Sequence, residues 1–341
     1  MAATRGASAL SSTSLVGACA ALLLALRVVN FVHSSGELRH LENINAYSGR
    51  CTRHNGEHRG FEDFAVFDGG QLVSLASDHS HFAFKWGVSM RDRLKVTKGA
   101  HAVHAKVLRG GKWRSFELRG VPSDFAPHGL AAWGRLSGGT LLVVNHRTTH
   151  DTLEIFATLP HGARHQSSHA HPLLYNVNDC SFATARLVFC TNWRSHETGT
   201  VMDAVELYGQ QPWSNVVACE LDKLTHCVLA ADGLQMANGI EVIGEHVAVV
   251  SSLEPAIRVY SRAPAARASD ARASDARASD ARAPDARLEL LYKINTRSAC
   301  DNLVRTTGAR KFQVARCTPR REWGRSGGMA RSPRPSMRLS E

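Results

Sequence analysis

The chain has 341 residues, 43% of them apolar and 7% aromatic, with a mean hydropathy of −0.21. That length holds one large β domain or two ordinary ones, and the hydropathy excludes a protein with many membrane spans. The net charge of +11 invites a nucleic-acid reading, but its location weakens it: residues 308–341 carry nine Lys/Arg against two Glu and so supply +7 (9 − 2) in a tail with no recognisable nucleic-acid module.

Residues 1–35 read as a targeting leader. Arg5 precedes the apolar run Leu15–Leu26, which Arg27 interrupts and Val28–Val32 extends. A cleaved signal, a retained leader and a membrane anchor all satisfy this pattern. Each puts the body in the secretory pathway, extracellular or anchored on the lumenal side. The leader also offers contact with a membrane or lipid-particle surface. Eight cysteines fit that oxidising compartment. Cys180/Cys190 and Cys219/Cys227 have the spacing of neighbouring strands or hairpins, and the second pair lies in a strand–turn–strand pattern. The absence of a CxxC pair argues against a thiolate zinc site.

The body spans 36–317, and from residue 61 onward one pattern recurs five times. A polar pair leads into a strand, a turn and a second strand. The pairs are Glu62-Asp63, His128-Gly129, Asn178-Asp179, Asn238-Gly239 and Asp301-Asn302. Short strands recurring at intervals of roughly 40–60 residues predict a β-propeller. In such a fold every polar pair stands at the mouth of one central channel.

Glu62, Asn178, Asn238, Asp301 and Asn302 would there form an oxygen set suited to calcium. Two carboxylates among three amides would leave the ion a Lewis acid. Asp63 and Asp179 could serve a second ion lower in the channel. His128 (in APHG) and His146 (in VVNH) could meet across a hairpin, one activating water and the other holding or relaying its proton. Blander readings stand beside these. Asn-Gly and Asn-Asp pairs commonly make turns, and in a chain with 18 histidines two meet easily by accident. No GxSxG elbow signals a serine hydrolase.

Three segments depart from the pattern. In 192–216, Met202, Val205, Leu207 and Trp213 predict a short amphipathic helix, covering the channel mouth, touching lipid or packing as a surface loop. The insertion 264–287 holds ARASD three times and then ARAPD; without large apolar side chains it is expected to be disordered. The basic tail 318–341 loses strand alternation, and disorder is the expectation there too.

The motifs GFEDFAV, FAPHGL, LLVVNH, NVNDC, MANGIEV and CDNL, in that order from about Cys51 to Asn302, resemble the serum paraoxonase/arylesterase family. The resemblance implies an all-β, six-bladed propeller with two calcium ions, one catalytic and one structural. It implies hydrolysis of aryl esters or lactones, with organophosphates accepted by some members. Carried over, Glu62, Asn178, Asn238, Asp301 and Asn302 would hold the catalytic ion. Asp63, Asp179 and the carbonyl of Leu130 would hold the structural one. His128 and His146 would form a histidine dyad, with Asp301 a rival base. Cys51 matches a cysteine that the family bonds near its C-terminus. That final region has no counterpart here, so about four and a half to five blades are expected, and Cys317 becomes an alternative partner for Cys51. The competing functions are a non-catalytic propeller that binds a lipid or protein, and a gluconolactonase-like propeller hydrolase.

Overall fold

The computed structural model describes residues 12–34, 63–77, 103–109, 112–147, 149–197, 200–221, 225–262, 286–296, 300–305, 312–315 and 336–337. Their strands form five sheets in chain order. The first is β1 (Ala65–Val66), β2 (Leu72–Ser77), β3 (Val103–Arg109) and β4 (Lys112–Ser115). The second contains β5 (Glu117–Arg119), β6 (Pro127–Trp133), β7 (Thr140–His146), β8 (Asp151–Leu159) and β9 (Gly162–His169), in the order β5-β9-β8-β7-β6. The third is β10 (Val177–Phe182), β11 (Leu187–Asn192), β12 (Ser214–Glu220) and β13 (His226–Leu234). The fourth is β14 (Ala237–Ile243), β15 (His246–Ser251), β16 (Ala256–Arg262) and β17 (Leu288–Asn295). A fifth, three-stranded sheet holds β18 (Asn302–Arg305), β19 (Phe312–Ala315) and β20 (Ser336–Met337), so two residues of the basic tail pair with β19.

The innermost strands β1, β6, β10, β14 and β18 neighbour one another in that order, and β18 also approaches β1. This is an all-β propeller arrangement of four full sheets and a partial fifth, an incomplete form of the six-bladed architecture. The sequence builds it through strands buried on both faces. Successive side chains of a strand point to opposite sides, and here each side faces a different neighbouring sheet. Along β7, Leu141 and Val143 pack toward the first sheet, while Leu142 and Val144 pack toward the third. Along β15, Val247 and Val249 join the core with the third sheet, and Ala248 and Val250 the core with the fifth. Continuous apolar runs such as LLVV and VAVV are therefore what the inner layers require.

Two glycines allow the innermost strands to touch. A Cβ on Gly129 would stand 2.3 Å from the carbonyl oxygen of Asn178, and one on Gly239 would stand 2.6 Å from the amide nitrogen of Leu303. The polar residues His128 and Asn238 are each followed by glycine because the next backbone occupies that space.

Both spaced cysteine pairs are disulfides within the third sheet. Cys180–Cys190 links β10 to β11, and Cys219–Cys227 links β12 to β13. They are consistent with an extracellular protein. Cys300 is disulfide-bonded as well. Cys51, Cys317 and the ARASD array lie outside the described residues; β16 and β17, which the array connects, pair with each other.

Segment 12–34 forms α1 (Ser12–Ser34), and segment 192–216 contains α2 (Val201–Tyr208), capped by the Thr200 hydroxyl accepting from the Asp203 amide. No helix among the described residues is long and apolar enough to cross a membrane. The amphipathic pattern predicted for α2 needs correction. Leu207 is buried, but Met202 and Val205 face outward while Asp203 and Glu206 face inward. The cause is local pairing. Asp203 bonds the buried Arg194 guanidinium, and both Glu206 oxygens accept the Ser195 amide at 3.0 Å.

Candidate active site

The five inner strands enclose a narrow cavity of about 30 Å³, lined by Ala65, Leu130, Asp179, Ile240 and Leu303, one from each strand. The polar pairs of the sequence sit at or beside it. Glu62 lies outside the described residues.

Asn178 and Asn238 are both buried, at 7% and 2% exposure. The Asn178 amide nitrogen donates to His128 Nε2 at 3.1 Å. That of Asn238 donates to Asp301 Oδ1 at 2.8 Å and to Ser252 Oγ at 2.9 Å. The amide oxygens of both residues are buried without any hydrogen-bond donor. Such an oxygen costs about 1–3 kcal/mol if nothing replaces its lost water. Asp301 lies beside them, its backbone carbonyl accepting the Gly239 amide at 2.9 Å, and Asn302 opens β18 at 5% exposure. No group of three or more His, Cys, Asp or Glu placed for a metal occurs among the described residues. The donors here are instead mostly amide oxygens. Calcium takes amide carbonyls readily, so the residues present fit it.

Asp63 and Asp179 are used differently. Asp63 Oδ2 accepts the Leu130 amide from the second sheet at 2.7 Å. Asp179 accepts its neighbour Cys180 at 2.7 Å and Ile240 of the fourth sheet at 3.0 Å. Each carboxylate thus stitches one inner strand to the next. Leu130, whose carbonyl was expected to coordinate, lines the same cavity as Asp179.

His128 and His146 do meet. Their ring centres are 5.0 Å apart, edge to face at 64°. His146 ends β7 and is 9% exposed, and its Nδ1 lies 3.0 Å from Asp151 Oδ1. The segment carrying His128 is held from two sides. Asn145 Oδ1 accepts the Ala126 amide at 2.7 Å, and the Asn145 amide nitrogen donates to Glu154 Oε1 at 3.0 Å. Burial, the largest influence on Glu154, pushes its carboxyl up, but hydrogen bonds from Asn145, Ser168, Thr152 and His165 together bring it below the ordinary value. Arg147 donates through Nε to both oxygens of Asp124, at 3.0 and 2.8 Å, and holds that carboxyl below its ordinary range.

Sequence reasoning missed two features. Asp151 was one; the hairpin register that sets it opposite His146 was the available signal. The other is a small buried apolar cluster of Leu207, Met236 and Leu253, against which half-buried Trp193 packs. Trp193 Nε1 donates to Ser252 Oγ at 3.3 Å, the hydroxyl that also accepts from Asn238, and the Arg194 guanidinium lies 4.0 Å from the indole centre.

The arylesterase family model matches residues 111–267. The resemblance read from the motifs therefore holds over that span, and at the level of class it supports an ester or lactone hydrolase. No curated protein matches the chain. Among solved structures, a gluconolactonase from Xanthomonas campestris is similar at 12% identity over 75% of this chain and 70% of that one, with a TM-score of 0.39. A candidate 6-phosphogluconolactonase from Bacteroides uniformis is similar at 10% identity over 74% of this chain, with a TM-score of 0.37; this chain spans 63% of its length. The PQQ-bound aldose sugar dehydrogenase of Streptomyces coelicolor shares 12% identity over 84% and 96% of the two chains, with a TM-score of 0.38. Likenesses at these values carry no argument about chemistry, and the architecture rests on this chain's own strand pairing.

Proposed function

We propose that this chain, which the arylesterase family model matches over residues 111–267, hydrolyses small aryl esters or lactones with calcium at the mouth of its central channel. Asn178, Asn238, Asp301 and Asn302, with Glu62, would hold the catalytic ion. Asp63, Asp179 and the Leu130 carbonyl would hold a structural one. Bound calcium would supply Lewis-acid polarisation of the ester carbonyl and offset the charge that develops on its oxygen.

The other steps fall to side chains. His128 Nε2 accepts a hydrogen bond from the Asn178 amide nitrogen; an attacking water that displaced this contact would give its proton to the same lone pair. His146, packed against it, takes up or relays that proton. Half-buried Trp193, whose Nε1 shares Ser252 Oγ with Asn238, would offer an apolar acyl or aryl group its indole edge. Asp301 is the competing base.

The single observation that carries this reading is the pair of donorless amide oxygens on Asn178 and Asn238 next to a meeting of two histidines. The test is hydrolysis of phenyl acetate and an aliphatic δ-lactone by purified residues 36–341, with and without a chelator. The account expects activity that chelation abolishes and calcium restores. Equal activity in the two conditions would sink it.

A lipid-surface partner draws on a separate observation. Leu22, Leu23 and Leu26 of α1 are 56–63% exposed, and Val201, Met202 and Val205 of α2 are 41–80% exposed. The two helices approach each other. Flotation of the full chain with phosphatidylcholine vesicles tests this; Val201→Asp with Met202→Asp should weaken it several-fold, and unchanged flotation would contradict it.

A further inference from the structure

Asp151 belongs to no expected role, yet it is among the most buried carboxylates of the chain, its side chain 1% exposed. It opens β8 directly across from His146. Its two oxygens face different partners. Oδ1 lies 3.0 Å from His146 Nδ1, and Oδ2 accepts the Val177 amide at 2.8 Å. Val177 opens β10, one residue before Asn178.

We propose that Asp151 is a positioning residue that fixes the tautomer of His146 and ties the histidine pair to the strand bearing Asn178 and Asp179. A carboxylate offers only acceptors. His146 Nδ1 must therefore carry the hydrogen in this contact, and the imidazole lone pair is left on Nε2. A neutral His146 of that tautomer can accept a proton passed on by His128, whose ring centre is 5.0 Å away. Once protonated, the ring is stabilised by the same carboxylate. The amide of Val177 fixes the carboxylate in turn, so the dyad cannot rotate away without breaking a bond to β10.

Asp151→Asn separates this role from simple packing, because the side chains match in shape. The Val177 amide demands an acceptor, so the new amide oxygen turns toward it. The new amide nitrogen then meets His146 Nδ1 and can only donate. The hydrogen of His146 is forced to Nε2, the wrong side for a relay, as in the worked case of the serine-protease aspartate.

The consequence for turnover rests on the esterase reading; the tautomer does not. The experiment is nitrogen NMR of the ¹⁵N-histidine-labelled, calcium-loaded chain, with the His146 signals assigned by His146→Gln, alongside phenyl acetate kinetics. The wild type should show a protonated Nδ1 and a bare Nε2, and Asp151→Asn the reverse, with kcat lower by about 10²–10⁴-fold and KM little changed. A bare Nδ1 in the wild type, or a tautomer unmoved by Asp151→Asn, overturns the proposal, and the wild-type spectrum decides even if the variant folds poorly. A tautomer that reverses while an active enzyme keeps its kcat overturns the catalytic part. A tautomer that behaves as expected in a wild type without esterase activity upholds the positioning role and refutes the esterase reading instead.

Discussion

Asn178 and Asp179 are neighbours on β10, buried to 7% and 3% exposure, yet the structure uses them in opposite ways. The aspartate is committed to protein donors, with Cys180 on one oxygen and Ile240 of the next sheet on the other. The asparagine oxygen meets no donor at all. The same division separates Asp63, which holds the Leu130 amide, from Asn238. Within one channel Asp63 and Asp179 accept backbone amides of neighbouring strands, while the amide oxygens of Asn178 and Asn238 meet no protein donor. Burial alone does not distinguish a structural polar group from a functional one; the direction in which its hydrogen bonds are satisfied does.

The sharpest way to break the comparison is Asp179→Ala. It leaves two buried backbone amides without acceptors, at about 1–3 kcal/mol each. Urea melts in chelator should show a loss of about 2–6 kcal/mol; a loss below 1 kcal/mol would mean that the carboxylate is no stitch.

Next in size is Gly239→Ala, which pushes a methyl into the Leu303 amide and the Asn302 backbone. A loss of about 1–3 kcal/mol is expected from overpacking, together with weaker calcium binding because Asn238 and Asn302 flank the contact. Unchanged stability would show that the inner strands can separate freely.

The smallest effect is a pH dependence at Glu154, outside the channel. Its folded carboxyl lies below the ordinary glutamate value, so the unfolded chain binds the proton more readily. Its contribution is fully present above the unfolded value and is lost as pH falls through the folded one. Glu154→Gln should therefore flatten the decline of melting temperature below about pH 4.5, the ordinary value. A parallel decline in wild type and variant would contradict the shift.

Much of this arrangement was legible in the sequence. The recurring polar pair gave the propeller, since five matching phases can converge only around a common axis. The spacing of four cysteines marked two pairs on neighbouring strands, Cys219/Cys227 the better disulfide candidate, and both pairs are bonded in the third sheet. The Asn238-Gly239 pair also suited a turn, and only the adjacent backbone revealed that Gly129 and Gly239 allow strand contact. The short helix within 192–216 was legible, but not which face turns inward, because hydrophobic periodicity does not register that Arg194 and the Ser195 amide draw Asp203 and Glu206 inward. Asp151 was silent because its meaning lies in a register, where the turn after His146 brings it opposite. That Asp63 and Asp179 also accept backbone amides of neighbouring strands was not legible, because residue type does not show which donors a carboxylate meets.

Calorimetric titration of calcium into the chelated, full-length protein addresses the central claim directly, with Asn178→Ala and Asn238→Ala measured beside it. The account predicts saturable binding by the wild type and at least a tenfold loss of affinity in each variant, with melting temperature in chelator little changed. Equal calcium affinity in all three proteins, or no binding by the wild type, would contradict it.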